Sequence, residues 1–125
     1  MITDYLKGAT GTGDLIDFTS SLVVGGSAAA ATATQAAVNA STGVVTFATG
    51  TGTTLSDAVA KIGARFVAAA DASGEFALFR VNNTGDYYLY ISDGSTSQSD
   101  VIVQLVGVTN ITAINLTSGD LTITS

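Results

Sequence analysis

Between Glu75 and Val108 the apolar residues fall in three runs, Glu75-Phe-Ala-Leu-Phe-Arg-Val81, Asp86-Tyr-Tyr-Leu-Tyr-Ile-Ser92 and Asp100-Val-Ile-Val-Gln-Leu-Val-Gly-Val108. Successive strand residues point to opposite faces. Phe76, Leu78 and Arg80 therefore share one side and Ala77, Phe79 and Val81 the other, while Tyr87, Leu89 and Ile91 oppose Tyr88 and Tyr90. Both faces are apolar, as expected of strands covered on both sides. The intervening turns, Asn82-Asn-Thr-Gly85 and the segment from Asp93-Gly94 to Asp100, carry residues that tolerate left-handed backbone or bond their own main chain.

The period changes upstream. Leu55, Val59, Ile62 and Phe66 recur at helical spacing, with Lys61 and Arg65 four apart on another face, and Thr54 precedes them as an N-cap with Asp57 three residues on. This predicts one amphipathic helix, about 55–69, ending near Asp71-Ala-Ser-Gly74 where glycine supplies the stop. Gly63 inside it costs about 1 kcal/mol relative to alanine, so a close packing contact or simple tolerance must account for it. Ile2–Leu6 and Leu15–Phe18 read as two short strands or a strand and a bend, Ser20–Val24 is a further short apolar unit, Val44–Ala48 reads as a strand, and Asn115–Thr124 closes the chain with a turn at Ser118-Gly119 and a final short strand. The alanine-rich run Ser27–Val38 fits helix by propensity, but it lacks large apolar anchors, so helix and extended loop both stay open. The expected fold is mainly β, a β-sandwich or β-roll-like cap with that one helix, in a single domain spanning residues 1–125.

Composition removes function classes. The chain has no histidine and no cysteine, which excludes imidazole general bases, thiol nucleophiles and Cys/His metal sites. A net charge of -6, from ten acidic against four basic residues, repels phosphate backbones, and no Lys/Arg stripe offsets it. Nucleic acid is therefore not an expected partner. No apolar run reaches the roughly 20 residues of a membrane span, so no integral membrane segment is expected. The start, Met1-Ile-Thr-Asp-Tyr-Leu6, lacks the basic and apolar regions of a cleaved signal. Scarce lysine and abundant Thr, Ser and Gly favour an extracellular or cell-surface setting.

Candidate chemistry is sparse. Gly8-Ala-Thr-Gly-Thr-Gly13 lacks the Lys-Ser/Thr ending of a phosphate loop, and Asp14 stands where the lysine belongs. Two acidic pairs, Asp14 with Asp17 and Asp93 with Asp100, flank turns whose oxygens suit a hard cation, and calcium is the ion that such a shell would take. The alternative is that Asp93 starts an Asx turn and Asp100 bonds a strand-end amide. Tyr87, Tyr88 and Tyr90 are either strand core or a carbohydrate-binding or partner-binding surface. No serine has a histidine to activate it, so a non-catalytic protein is expected.

Taken in order, Ile2-Thr-Asp-Tyr-Leu6 with Gly13-Asp-Leu-Ile-Asp-Phe18, the strands beginning at Gly74 and Asp86, and Asp100-Val-Ile-Val-Gln-Leu-Val-Gly-Val-Thr109 resemble the C-terminal region of RTX-type and bacterial surface-layer proteins exported by type I secretion. The resemblance implies an uncleaved secretion and capping module at the C-terminus of a larger protein. Such a module is recognised by the type I export machinery and folds outside the cell where calcium is abundant. It also implies that Asp120, Leu121 and Ile123 belong to the secretion signal. The glycine-aspartate nonapeptide array of that family is missing from these residues, which suggests a roll lying upstream, with Met1 not the native start. The alternatives are a self-assembling surface-layer or fibre subunit and an adhesin domain that binds carbohydrate or cell-surface components.

Overall fold

The computed structural model describes residues 15–16, 22–25, 29–70, 72–95, 100–117 and 120–124. In chain order these form β1 (Leu15–Ile16), β2 (Val23–Val24), β3 (Ala37–Val38), β4 (Val45–Thr46), α1 (Leu55–Ala68), β5 (Ser73–Phe79), β6 (Tyr87–Asp93), β7 (Val101–Leu105), β8 (Ala113–Thr117) and β9 (Asp120–Thr124). The described residues are thus mainly β with a single α-helix. A central four-stranded sheet has the order β2-β5-β6-β7, a second sheet the order β1-β9-β8, and β3 pairs with β4. β5, β6 and β7 make an antiparallel meander, while β2 runs parallel to β5.

The two dry faces of the central sheet are real, and they divide the core into two clusters. Register sets Phe76 opposite Ile91 and Leu78 opposite Leu89. These four, with Leu105, Val108 and Leu22, pack against Leu121 and Ile123 of the second sheet. On the other face Ala77, Phe79 and Tyr90 meet Ile62 and Phe66 of α1, Val38 and Val45 of the β3–β4 pair, and Phe47 just after it. Each large side chain so buried contributes about 1.5–3 kcal/mol. The order of layers is therefore second sheet, central sheet, then helix and hairpin.

Three separate segments line the outer edge of β5 and its continuation. Val23 and Val24 pair with Glu75 and Phe76, Gly25 N–H donates to Phe76 O (2.9 Å), Leu78 N–H donates to Gly43 O (2.8 Å), and Asn82 N–H donates to Gly52 O (2.8 Å). Two glycines are required by these approaches. A Cβ on Gly25 would lie 2.4 Å from the Phe66 ring, and one on Gly52, whose φ is +67°, would lie 2.4 Å from the Phe47 ring.

The helix begins as its sequence predicts, with Asp57 N–H donating to Thr54 Oγ1 (3.1 Å). Its end differs. Ala70, at φ 62°, takes the left-handed position after the last turn, and Gly74, at φ 85°, lies instead within β5, where the register with β6 shifts between Ser73 and Phe76. The buried helix face also differs from the Leu55-Val59-Ile62-Phe66 stripe. It consists of Ala58, Ile62, Arg65 and Phe66, leaving Leu55 42% exposed. Of the alanine-rich run, residues 29–36 contain no helix, and Ala37–Val38 form β3.

That run is held by a residue that helical spacing sets off the apolar stripe. Arg65 is buried, with Nε donating to Ala36 O (2.6 Å) and an Nη group to Ala30 O (2.8 Å). The run has no large side chains to anchor it, so a guanidinium fork satisfying two of its carbonyls takes their place. Lys61 is the helix cation that stays near the surface, paired with Asp57 at 3.2 Å.

Candidate functional site

Asp93 and Asp100 lie where β6 ends and β7 begins. Asp93 Oδ1 accepts from Ser95 N–H (2.8 Å), an Asx turn, and Gly94 N–H donates to Ser92 Oγ (2.9 Å). Asp100 closes the turn from the other side: Oδ1 accepts from Asp93 N–H (3.2 Å), and Oδ2 accepts from the Tyr90 hydroxyl. The sequence paired Asp93 with Asp100, and the structure brings them together as turn-forming groups whose carboxylates face protein donors. Among the described residues no three carboxylates gather as a metal cluster. Asp14 and Asp17 lie outside the described residues, on either side of β1.

Tyr90 is a core residue. The residue is 1% exposed and its ring meets Phe66 edge-on at 5.1 Å between centroids, while its hydroxyl reaches the turn. Tyr88 stacks on Phe79 at 5.3 Å, and Tyr87 carries the Arg80 guanidinium 5.1 Å above its ring. Arg80 also donates to Thr109 O (3.1 Å), tying the chain after β7 to the end of β5. The three tyrosines thus do not form one surface.

Alongside Tyr90 and Asp100 runs a groove of about 810 Å³, walled by Leu55, Val59, Gly63 and Val67 of the helix and by Ile102 of β7. The helical wall repeats every four residues. That spacing is present in the sequence, where Leu55 and Val59 also fit the stripe that continues to Ile62 and Phe66. Gly63 opens the floor, since a Cβ there would sit 3.4 Å from Tyr90 Oη.

The C-terminal residues take a structural place. Asp120 pairs with Thr117 at the start of β9, Leu121 pairs with Leu116 and Ile16, and Ile123 pairs with Ile114. β9 is the middle strand of its sheet, and Leu121 and Ile123 are fully buried. No described helix is long and apolar enough to cross a membrane. No family model, curated protein or solved structure matches this chain.

Proposed function

We propose that the chain is a non-catalytic C-terminal module of a type I secreted extracellular protein, recognised by the export machinery while unfolded and folding afterwards outside the cell. The observation that carries this reading is the burial of Leu121 and Ile123 in β9. An apolar signal at these positions is accessible only before the second sheet closes, which suits an exporter that handles unfolded chains. Non-local pairing supports the same order of events. β1 must find β9 from the far end of the sequence, and such contacts form slowly. The absence of histidine and cysteine and the commitment of Asp100 to Tyr90 and Asp93 support a structural rather than a catalytic role.

Deleting 120–125 removes the signal and the middle strand together, so point variants separate the two. In cells carrying an inner-membrane ATP-binding-cassette exporter, its adaptor and an outer-membrane channel, Phe76→Ser unfolds the module but leaves a reporter fusion exported. Leu121→Ser with Ile123→Ser also unfolds it, and export falls at least tenfold. Equal export of both variants, or export independent of the exporter, overturns the reading.

A further inference from the structure

The hydrogen-bonding direction of the central sheet can be followed strand by strand. Phe76 O accepts from Gly25 N–H and Leu78 N–H donates to Gly43 O, so the main chain of Phe76 and Leu78 points away from β6. Ala77 and Phe79 then bond Tyr90 and Tyr88, which turns Tyr87, Leu89 and Ile91 toward Leu105, Val103 and Val101. The N–H and C=O groups of Ile102 and Gln104 are left facing outward. Among the described residues nothing pairs with that side of β7.

Edge strands are ordinarily protected by lysine, proline, a bulge or a covering segment. Among the described residues β7 has none of these: Val101-Ile-Val-Gln-Leu105 carries no charge and no proline, and its register with β6 is unbroken. The opposite side of the meander, by contrast, is lined by segments containing Val23, Gly43 and Gly52. Both faces of β7 are also unfinished. Val101 is 48% exposed, and Ile102 and Val103 are half-buried members at the margins of the two core clusters.

We propose that β7 pairs antiparallel with β7 of a second copy of this chain, about a twofold axis at Val103. In this register Ile102 exchanges two hydrogen bonds with the partner's Gln104, and symmetry repeats the exchange, so all the outward groups of both residues are satisfied. Val103 faces the partner's Val103 as a non-hydrogen-bonded pair, and Val101 faces the partner's Leu105, extending the apolar layer between the sheets. The arrangement tolerates a net charge of -6, because Asp100 lies opposite the partner's Val106 and no carboxylates are directly opposed. A single short strand buries little area, which places the contact in the weak, transient class. It becomes substantial where many copies are held together and their effective concentration is high.

The chain lacks cysteine, so single cysteines report the register cleanly. Paired Val103 Cα atoms lie about 4.5 Å apart in this geometry, within disulfide range, whereas the two Val101 positions are about 13 Å apart along the strand direction. Mild oxidation of the full chain is therefore expected to cross-link Val103→Cys and spare Val101→Cys, although Val101 is the more exposed. Sedimentation velocity from about 10 to about 1,000 µM, which spans micromolar to millimolar dissociation constants, should show a concentration-dependent dimer. Gln104→Pro removes an outward N–H without touching the β6 ladder, and it should weaken the dimer at least tenfold with an unchanged circular dichroism spectrum. A chain that stays monomeric throughout, a folded Gln104→Pro variant that dimerises normally, or cross-linking that follows exposure, with Val101→Cys the better, overturns the proposal. Should Gln104→Pro fail to fold, the cysteine pair decides alone.

Discussion

The hydroxyl of Tyr90 donates to Asp100, joining the inside of the core to the first residue before β7. Asp100 also accepts from Asp93 N–H, so one carboxylate fastens β6 to β7 across the turn. Tyr90→Phe keeps the ring against Phe66 and removes the hydroxyl that donates to Asp100. Loss of a hydrogen bond to a charged group predicts destabilisation by about 1.5–3 kcal/mol. Urea unfolding of Tyr90→Phe, Asp100→Asn and the double variant gives the coupling. Additive effects would mean that the pair contributes nothing jointly.

Calcium provides a second test of the same turn. Asp93 and Asp100 already accept from backbone and tyrosine donors, so melting temperatures in calcium and in chelator should agree within about one degree if no cation binds the native state in preference to the unfolded one. A rise of several degrees that Asp100→Asn abolishes would instead assign an ion to these carboxylates.

Arg65 anchors a segment that has no anchors of its own. Arg65→Met removes the donors of Ala36 O and Ala30 O and is expected to cost about 2–3 kcal/mol. Arg65→Lys should recover little, because one ammonium does not reproduce the fork that reaches both carbonyls. Proteolysis of the native state would show the damage locally, as faster cleavage within residues 29–36.

Two helix positions should gain from opposite substitutions. Gly63→Ala introduces a Cβ at ordinary contact distance from Tyr90 Oη, so helix propensity decides the sign, and stability should rise by up to about 1 kcal/mol. Ala70→Gly relieves a left-handed alanine after the helix and should add about 0.5–1 kcal/mol. Thermal melts of both variants check the two signs. A lower melting temperature for Gly63→Ala would mean that Tyr90 cannot yield.

Asp57 makes helix stability depend on pH. Donation from Gly52 N–H (2.6 Å) chiefly holds its carboxyl below the usual range; partial burial opposes this, and Lys61 assists it. A lowered folded value means that the stabilisation is present above the unfolded carboxyl pKa and is lost as pH falls through the folded one. Asp57→Asn should therefore lower the melting temperature at neutral pH. The gap to wild type should narrow below about pH 4 and close under more acid conditions. A gap independent of pH would remove the carboxylate charge as the cause.

Local patterns were enough for much of the fold. The period-two alternation around Phe76, Leu89 and Val103 determined three strands and the side to which each residue points, because a strand's geometry leaves no other choice. Thr54 and Asp57 likewise determined the helix start, since capping is satisfied within a few residues. Where a feature depends on distant partners, the sequence was silent or misleading. Arg65 falls off the apolar stripe in the sequence because its acceptors, Ala30 and Ala36, are remote in sequence, and Leu55 falls on it because helical spacing does not say which of two adjacent stripes meets the sheet. The layer order, the place of β9 between β1 and β8, and the open side of β7 arise only when separate strands pair. Side-chain periodicity therefore came from the chain itself, whereas the satisfaction or exposure of each main-chain edge was decided by tertiary structure, because pairing depends on which strands become neighbours.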